Sequence, residues 1–200
     1  AARRFVSSVD NANLAVALMV AVAAFPETDL ARRASALLEE QDWEFFYREV
    51  EVAPGQFVPR MNHGFYADRG AMSTFDYGTF MTEARLLTLI AVLLGDVPPY
   101  PWAATAPGGL GYMEALPKTC VLKTGERIVI IPSWGGSLFE ELFPDLFLDE
   151  MLHSDSLAEN HRRVVAAHIA SRNPETGLWG WSPSQGVDCQ YREAGVACVG

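Results

Sequence analysis

Residues 10–29 read DNANLAVALMVAVAAFPETD, and the fold turns on what the apolar run inside them is. Leu14 to Phe25 is unbroken apolar sequence over 12 positions. A bilayer span takes about 20 residues, so this run is too short to cross a membrane. Arg3-Arg4-Phe5 upstream looks like a twin-arginine export start. Against that, Asp10, Asn11 and Asn13 stand directly before the run, where an export signal is uncharged or basic. The run reads instead as a helix with Asp10 or Asn11 near its N-cap and Pro26 just past its end. A helix that is apolar all round is buried all round. One of the most internal elements is therefore expected almost at the first residue, as in a piece cut from something longer.

Working outward, Leu30, Ala34, Leu37 and Leu38 fall at helical spacing and predict a second helix from about Glu27 to Glu40. The stretch from Arg48 to Asp68 alternates weakly and carries recurrent Gly and Pro, which predicts extended loop or hairpin. A third helix is expected from about Thr79 to Leu94, closed by Gly95 and followed by Pro98-Pro99. Tyr100 to Pro117 reads as loop, and Thr119 to Ile131 as a β-hairpin turning at Thr124-Gly125. An apolar helix follows from about Ser137. Pro144 inside it would clash with the Glu140 carbonyl and should break or kink it. A last helix is expected from about Leu157 to Ser171, and Gly177 to Gly200 reads as loop. The pattern predicts one mainly α domain whose function sits on its loops.

Composition narrows the function. The chain has 200 residues, a net charge of −10 and 50% apolar residues, which is enough for a real core and excludes global disorder. Phosphate contact needs a basic surface, so a nucleic-acid partner is not expected. Cys120, Cys189 and Cys198 are an odd number without close metal-type spacing and define neither a disulfide framework nor a zinc site. His161 and His168 lie two turns apart on one helix, too far for joint ligation, and no metal or cofactor is expected. There is no G-x-S-x-G. Gly108-Gly109-Leu110-Gly111 lacks the preceding strand and following helix that a dinucleotide site requires.

What remains is carboxylates among aromatics. Asp10, Asp68, Asp76, Glu83, Glu140, Glu141 and Glu193 are the acidic candidates, with Trp43, Trp102, Trp134, Trp179 and Trp181 spread among them. Sugar rings pack their apolar faces on flat aromatic rings. Glycosidic cleavage needs one protonated and one ionised carboxyl. Each residue also has a plainer reading. Asp10 and Asn11 would cap a helix, Glu83 would sit favourably at a helix start, and most Trp would be packing. Of Glu140 and Glu141, successive helical residues about 100° apart, at most one faces a given cavity.

Five segments together resemble one family: SVDNANLA (Ser8 to Ala15), YGTFMTEARLLTLIAVLLGDVPP (Tyr77 to Pro99), PSWGGSLFEELFPDLF (Pro132 to Phe147), LWGWSPS (Leu178 to Ser184) and YREAGVACVG (Tyr191 to Gly200). They are similar, in order, to the bacterial glucoamylase-like domain family, whose relatives include β-1,2-glucanases and the hydrolase-like region of cyclic β-1,2-glucan synthases. The resemblance implies an (α/α)6 barrel, or an incomplete portion of one, with minor β-hairpins in its loops. It implies a glycoside hydrolase acting on a bacterial β-glucan, β-1,2-linked and inverting, with an oligosaccharide or glucan as partner. Glu140 and Glu83 would be the catalytic carboxylates. Asp10, Asn11, Tyr77, Trp134, Trp179 and Trp181 would bind substrate.

Two departures stand against activity: relatives tend to carry an acidic residue where Pro183 stands and an aromatic where Ala194 stands. A non-catalytic glycan-binding or structural α-domain is therefore the alternative. Twelve helices at roughly 12 residues each, plus connections, need more chain than this. The domain is therefore expected to be incomplete on its C-terminal side and to self-associate through exposed apolar surface. A periplasmic or extracellular setting follows from the envelope glycans on which relatives act.

Overall fold

Ser7, rather than Asp10 or Asn11, caps the first helix. Its hydroxyl accepts the Asp10 N–H at 3.3 Å, and Asn11 Nδ2 donates back to the Ser7 carbonyl at 2.6 Å. Helix α1 then covers Ser8–Ala24 and ends at Phe25, directly before Pro26. Its burial departs from expectation. Val9, Ala12, Ala15 and Val16 are buried at helical spacing, whereas Leu14 is 50% and Val20 52% exposed. An all-apolar sequence here covers one stripe only, where small alanines let a neighbour approach. That neighbour is α2, Asp29–Glu39, capped by the Thr28 hydroxyl.

The computed structural model describes residues 4–98 and 116–200. Trp102, Gly108 to Gly111 and most of the loop expected from Tyr100 to Pro117 lie outside the described residues. The chain divides into two units, residues 1–78 with 86–113 and residues 79–85 with 114–200.

The first unit holds α1, α2 and two sheets. Strand β1, Phe5–Ser7, pairs with β4, Gly64–Tyr66, which pairs with β5, Ala71–Met72. Strands β2, Tyr47–Ala53, and β3, Gln56–Met61, form a hairpin around Gly55 at φ +74°. Asn62 ties these pieces together. Its side-chain amide donates to the Ser73 and Phe75 carbonyls at 2.9 Å, and its carbonyl oxygen accepts the Gly64 N–H at 3.1 Å. Trp43 is fully buried, and its backbone N–H donates to Asp96 Oδ2 at 3.2 Å. Helix α3, Ala84–Leu93, contributes its residues from Leu86 onward to this unit.

The second unit is built around a hairpin and one long helix. Strands β6, Lys118–Val121, and β7, Arg127–Ile130, turn at Gly125 as expected. They pack on α7, Asp155–Ala170, through Cys120, Leu122, Ile130, Val164 and Ala167, joined by Val196 and Val199. Between hairpin and helix lie three short pieces: α4, Leu138–Leu142; α5, Asp145–Leu148; and α6, Glu150–His153. Pro144 ends the first of them, as its ring requires, and Asp149 at φ 47° ends the second. Strands β8, Ser184–Gln185, and β9, Tyr191–Arg192, form a small hairpin within the expected loop. Cys120 and Cys198 form a disulfide with their Cα atoms 5.0 Å apart, and Cys189 is free and exposed. The cysteines do pair after all.

Among the described residues 39% are helical and 20% are in strands, in four small antiparallel sheets. The architecture is mixed α/β, which overturns the mainly α reading and with it the (α/α)6 barrel, whole or partial. Of the two readings of Arg48 to Asp68, extended loop or hairpin, the hairpin holds, as strands β2, β3 and β4. Residues 79–83 precede α3 instead of opening it, and the helix expected after Ser137 is broken into single turns. The self-association expected of an incomplete barrel loses its basis. Among the described residues no helix is long and apolar enough to cross a membrane.

Candidate functional site

The approach to α4 is a chain of glycines, and they fix a carboxylate. The Ser137 hydroxyl caps α4 by accepting the Glu140 N–H at 3.1 Å. Gly136 sits at φ +70° and donates to Ser133 Oγ at 2.9 Å. Gly135 N–H donates to Glu140 Oε2 at 3.1 Å, folding that carboxyl back onto the turn before its own helix. The other side of Gly135 is filled by Glu193: a Cβ built there would lie 2.4 Å from Glu193 Cγ. Any side chain at position 135 would displace Glu193.

Glu83, Glu140 and Glu193 all line one cavity of about 560 Å³ in the second unit. Its opposite character comes from Leu138, Phe139, Leu142, Phe143 and Leu146, an apolar wall supplied by α4 and the start of α5. Ser182, Pro183 and Tyr191 complete it, and the Tyr191 hydroxyl donates to Glu193 Oε2 at 2.9 Å. Burial raises the Glu140 carboxyl above the usual carboxylate range, and the nearby Glu193 charge adds to this. The Gly135, Ser133 and Ser137 hydrogen bonds oppose it only in part. Burial and the Glu193 hydrogen bond push the Tyr191 hydroxyl up to about 12, with the Glu83 and Glu140 charges contributing.

Beneath this wall lies a buried charge network. Glu141 turns inward from Glu140, and its Oε1 accepts from Asn160 Nδ2 at 2.9 Å and meets His161 Nδ1 at 2.7 Å. His161 Nε2 lies 3.3 Å from Glu150 Oε2. Arg85 grips Glu150 through Nε and Nη2, each at 2.7 Å. The remaining Arg85 donors reach the Thr82 carbonyl at 3.0 Å, the Glu140 carbonyl at 2.8 Å and the Glu141 carbonyl at 2.5 Å. Arg85 of the T-E-A-R segment thus holds the backbone of the F-E-E segment. Burial disfavours the His161 cation, but the two glutamates outweigh it and raise His161 to about 9. Burial likewise opposes Glu150 ionisation, yet the Arg85 and His161 contacts hold it below the usual range. Two cations face two carboxylates, so the buried charge balances.

Asp145, Glu150 and His161 present three donor atoms within 4.8 Å of one another, a spacing that suits a metal ion. Here Glu150 is already clamped by Arg85, and His161 carries a proton where a ligand needs a lone pair. The cations of the protein itself fill that role.

Of the other residues expected at the site, Trp134, Trp179 and Trp181 of the second unit do not line this cavity. Trp134 is 63% exposed and lines a separate depression with Ser133, Lys118 and Gly200. Trp179 and Trp181 are partly exposed on the segment before Ser182, and the Trp181 carbonyl accepts the Leu138 N–H at 2.8 Å. Asp10, Asn11 and Tyr77 belong to the first unit. There Asp10 is exposed, Asn11 lines a small hollow beside Trp43, and the Tyr77 ring packs on His63 at 4.2 Å. Glu193 was visible as an acidic residue, but a segment read as loop gave it no face. Its partner Tyr191 lies only two residues away, at the start of β9, and an extended chain puts residues at i and i+2 on one side. No family model matches the chain, and no curated protein matches it.

Proposed function

We propose that the second unit carries a glycoside hydrolase site that cleaves a bacterial β-glucan. The single observation behind this reading is that Glu83 and Glu140 open onto one cavity in which burial raises the Glu140 carboxyl from its ordinary value, toward use as an acid. Glu140 is the proton donor to the leaving oxygen, and a second carboxylate of the same wall serves the attacking water. The Phe139 and Phe143 side packs the apolar faces of sugar rings. The β-1,2 linkage and the inverting outcome come from the resemblance of the five segments to glucoamylase-like domains. The Cys120–Cys198 disulfide favours an oxidising compartment, as suits an envelope glycan.

A second reading has its own observation. Pro183, where relatives carry an acid, lines this cavity, which favours a glycan-binding site without turnover. Reducing-sugar release from linear β-1,2-glucan separates the two. The hydrolase reading expects release by the wild-type chain, and expects Glu140→Gln to bind the glucan in calorimetry without cutting it. Binding without release by the wild type selects the second reading.

A further inference from the structure

We infer that Glu193 is the carboxylate that activates the attacking water opposite Glu140, and that Tyr191 positions it; the inference rests on the hydrolase reading above. Glu193 and Glu140 stand on either side of one backbone residue. Gly135 N–H holds Glu140 Oε2 at 3.1 Å, while on the other side a Cβ at Gly135 would meet Glu193 Oε1 at 2.7 Å. The two carboxyls thus abut one backbone residue from different sides, Glu140 through the Gly135 N–H and Glu193 where a Cβ would stand, as a base set apart from its acid requires. The β8–β9 pairing ends at Ser184 and Arg192, and the residues that follow it on either side, Pro183 and Glu193, both line the cavity. Tyr191, two residues back, donates to Glu193 Oε2 at 2.9 Å. That bond occupies one oxygen and turns Oε1 to the Gly135 side.

Glu83 shares the cavity, but Glu193 is the carboxylate whose charge acts on Glu140. In the step that follows, Glu140 gives its proton to the glycosidic oxygen as the bond from that oxygen to the anomeric carbon breaks. The water oxygen bonds to that carbon from the opposite face, and its proton passes to Glu193. Solvent returns the proton from Glu193 to Glu140.

The test uses the full chain and linear β-1,2-glucan. Glu193→Ala is expected to lower kcat by roughly 10²–10⁴-fold. Added azide should restore turnover by forming a glycosyl azide of inverted configuration, and Glu140→Gln should gain nothing from azide. Tyr191→Phe is expected to lower kcat with little change in KM, a split that a merely structural role would not produce. Glu193→Gln, nearly isosteric, should lose kcat with an unchanged melting temperature, which sets a lost base apart from a misfolded hairpin. A Glu193→Ala variant as active as the wild type, or azide rescue of Glu83→Ala instead, overturns the assignment and leaves the hydrolase reading intact. A wild-type chain that releases no sugar overturns both.

Discussion

Glu140 is ionised reluctantly in the folded chain, and that has a stability consequence separate from catalysis. In the unfolded chain it titrates at its ordinary value of 4.5; in the fold, burial and the Glu193 charge raise it. A carboxyl whose folded value lies above its unfolded one costs stability once pH rises past the unfolded value, and the cost is complete above the folded value. Glu140→Gln removes the cost. At pH 7 it should melt higher than the wild type while cutting roughly 10²–10⁴-fold more slowly. At a pH where both states carry the proton the two melting temperatures should coincide. A Glu140→Gln that melts lower at pH 7 would mean that the Gly135 hydrogen bond to an ionised carboxylate outweighs burial. The two glutamates were readable because Leu138, Phe139, Leu142 and Phe143 flank Glu140, and because Glu83 lies beside Phe80, Met81 and Leu86. An acidic residue amid apolar ones is either paired or at a site. The sequence reading could not split Glu140 from Glu141, since that depends on His161 and Asn160 arriving from another helix.

At the scale of elements, Arg85 clamps α4 and α6 within the second unit. It donates to two carbonyls of α4 and to both oxygens of Glu150, all within 3.0 Å and all buried. Arg85→Met leaves Glu150 with one cation instead of two and frees buried carbonyls. It should cost about 3–5 kcal/mol in urea unfolding of the second unit, because breaking one partner strands a buried charge. The network also has a pH signature. The folded His161 value, about 9, lies above its unfolded 6.5. Its contribution is therefore complete below pH 6.5 and is lost as pH rises through 9, worth about 3 kcal/mol in total. Glu150 works the other way: its stabilisation is present above 4.5 and lost on acidification below that. Unfolding free energy should fall between pH 6.5 and 9 in the wild type and stay flat there in His161→Gln. Helices with strong period and firm ends, such as α2 and α7, were legible in the sequence, as was the Gly125 hairpin. The β2–β3 hairpin was legible only as one of two readings, extended loop or hairpin, because its alternation is weak, and β8–β9 was not legible, having only two residues per strand.

Across the whole molecule, the mainly α reading failed where local pattern stops carrying information. Leu14 to Phe25 is apolar on every side, and nothing within it says which side is covered. Cys120 and Cys198 are 78 residues apart, and only the fold that lays the C-terminal segment on β6 brings them together. That disulfide makes the two units physically unlike: one is cross-linked through its core, and among the described residues the other has no such bond. Cross-linking a loop of this length stabilises mainly by restricting the unfolded chain, typically by about 2–5 kcal/mol. Cys120→Ser with Cys198→Ser, in a Cys189→Ser background so that no exposed thiol can exchange, should release that amount from the second unit alone. Hydrogen exchange read by segment is the measurement that checks it. Protection across β6, β7 and α7 should fall by the factor that free energy sets, while α1, α2 and the β2–β3 hairpin keep theirs. Equal loss in both sets would show that the chain unfolds as one cooperative body, with the disulfide stabilising all of it.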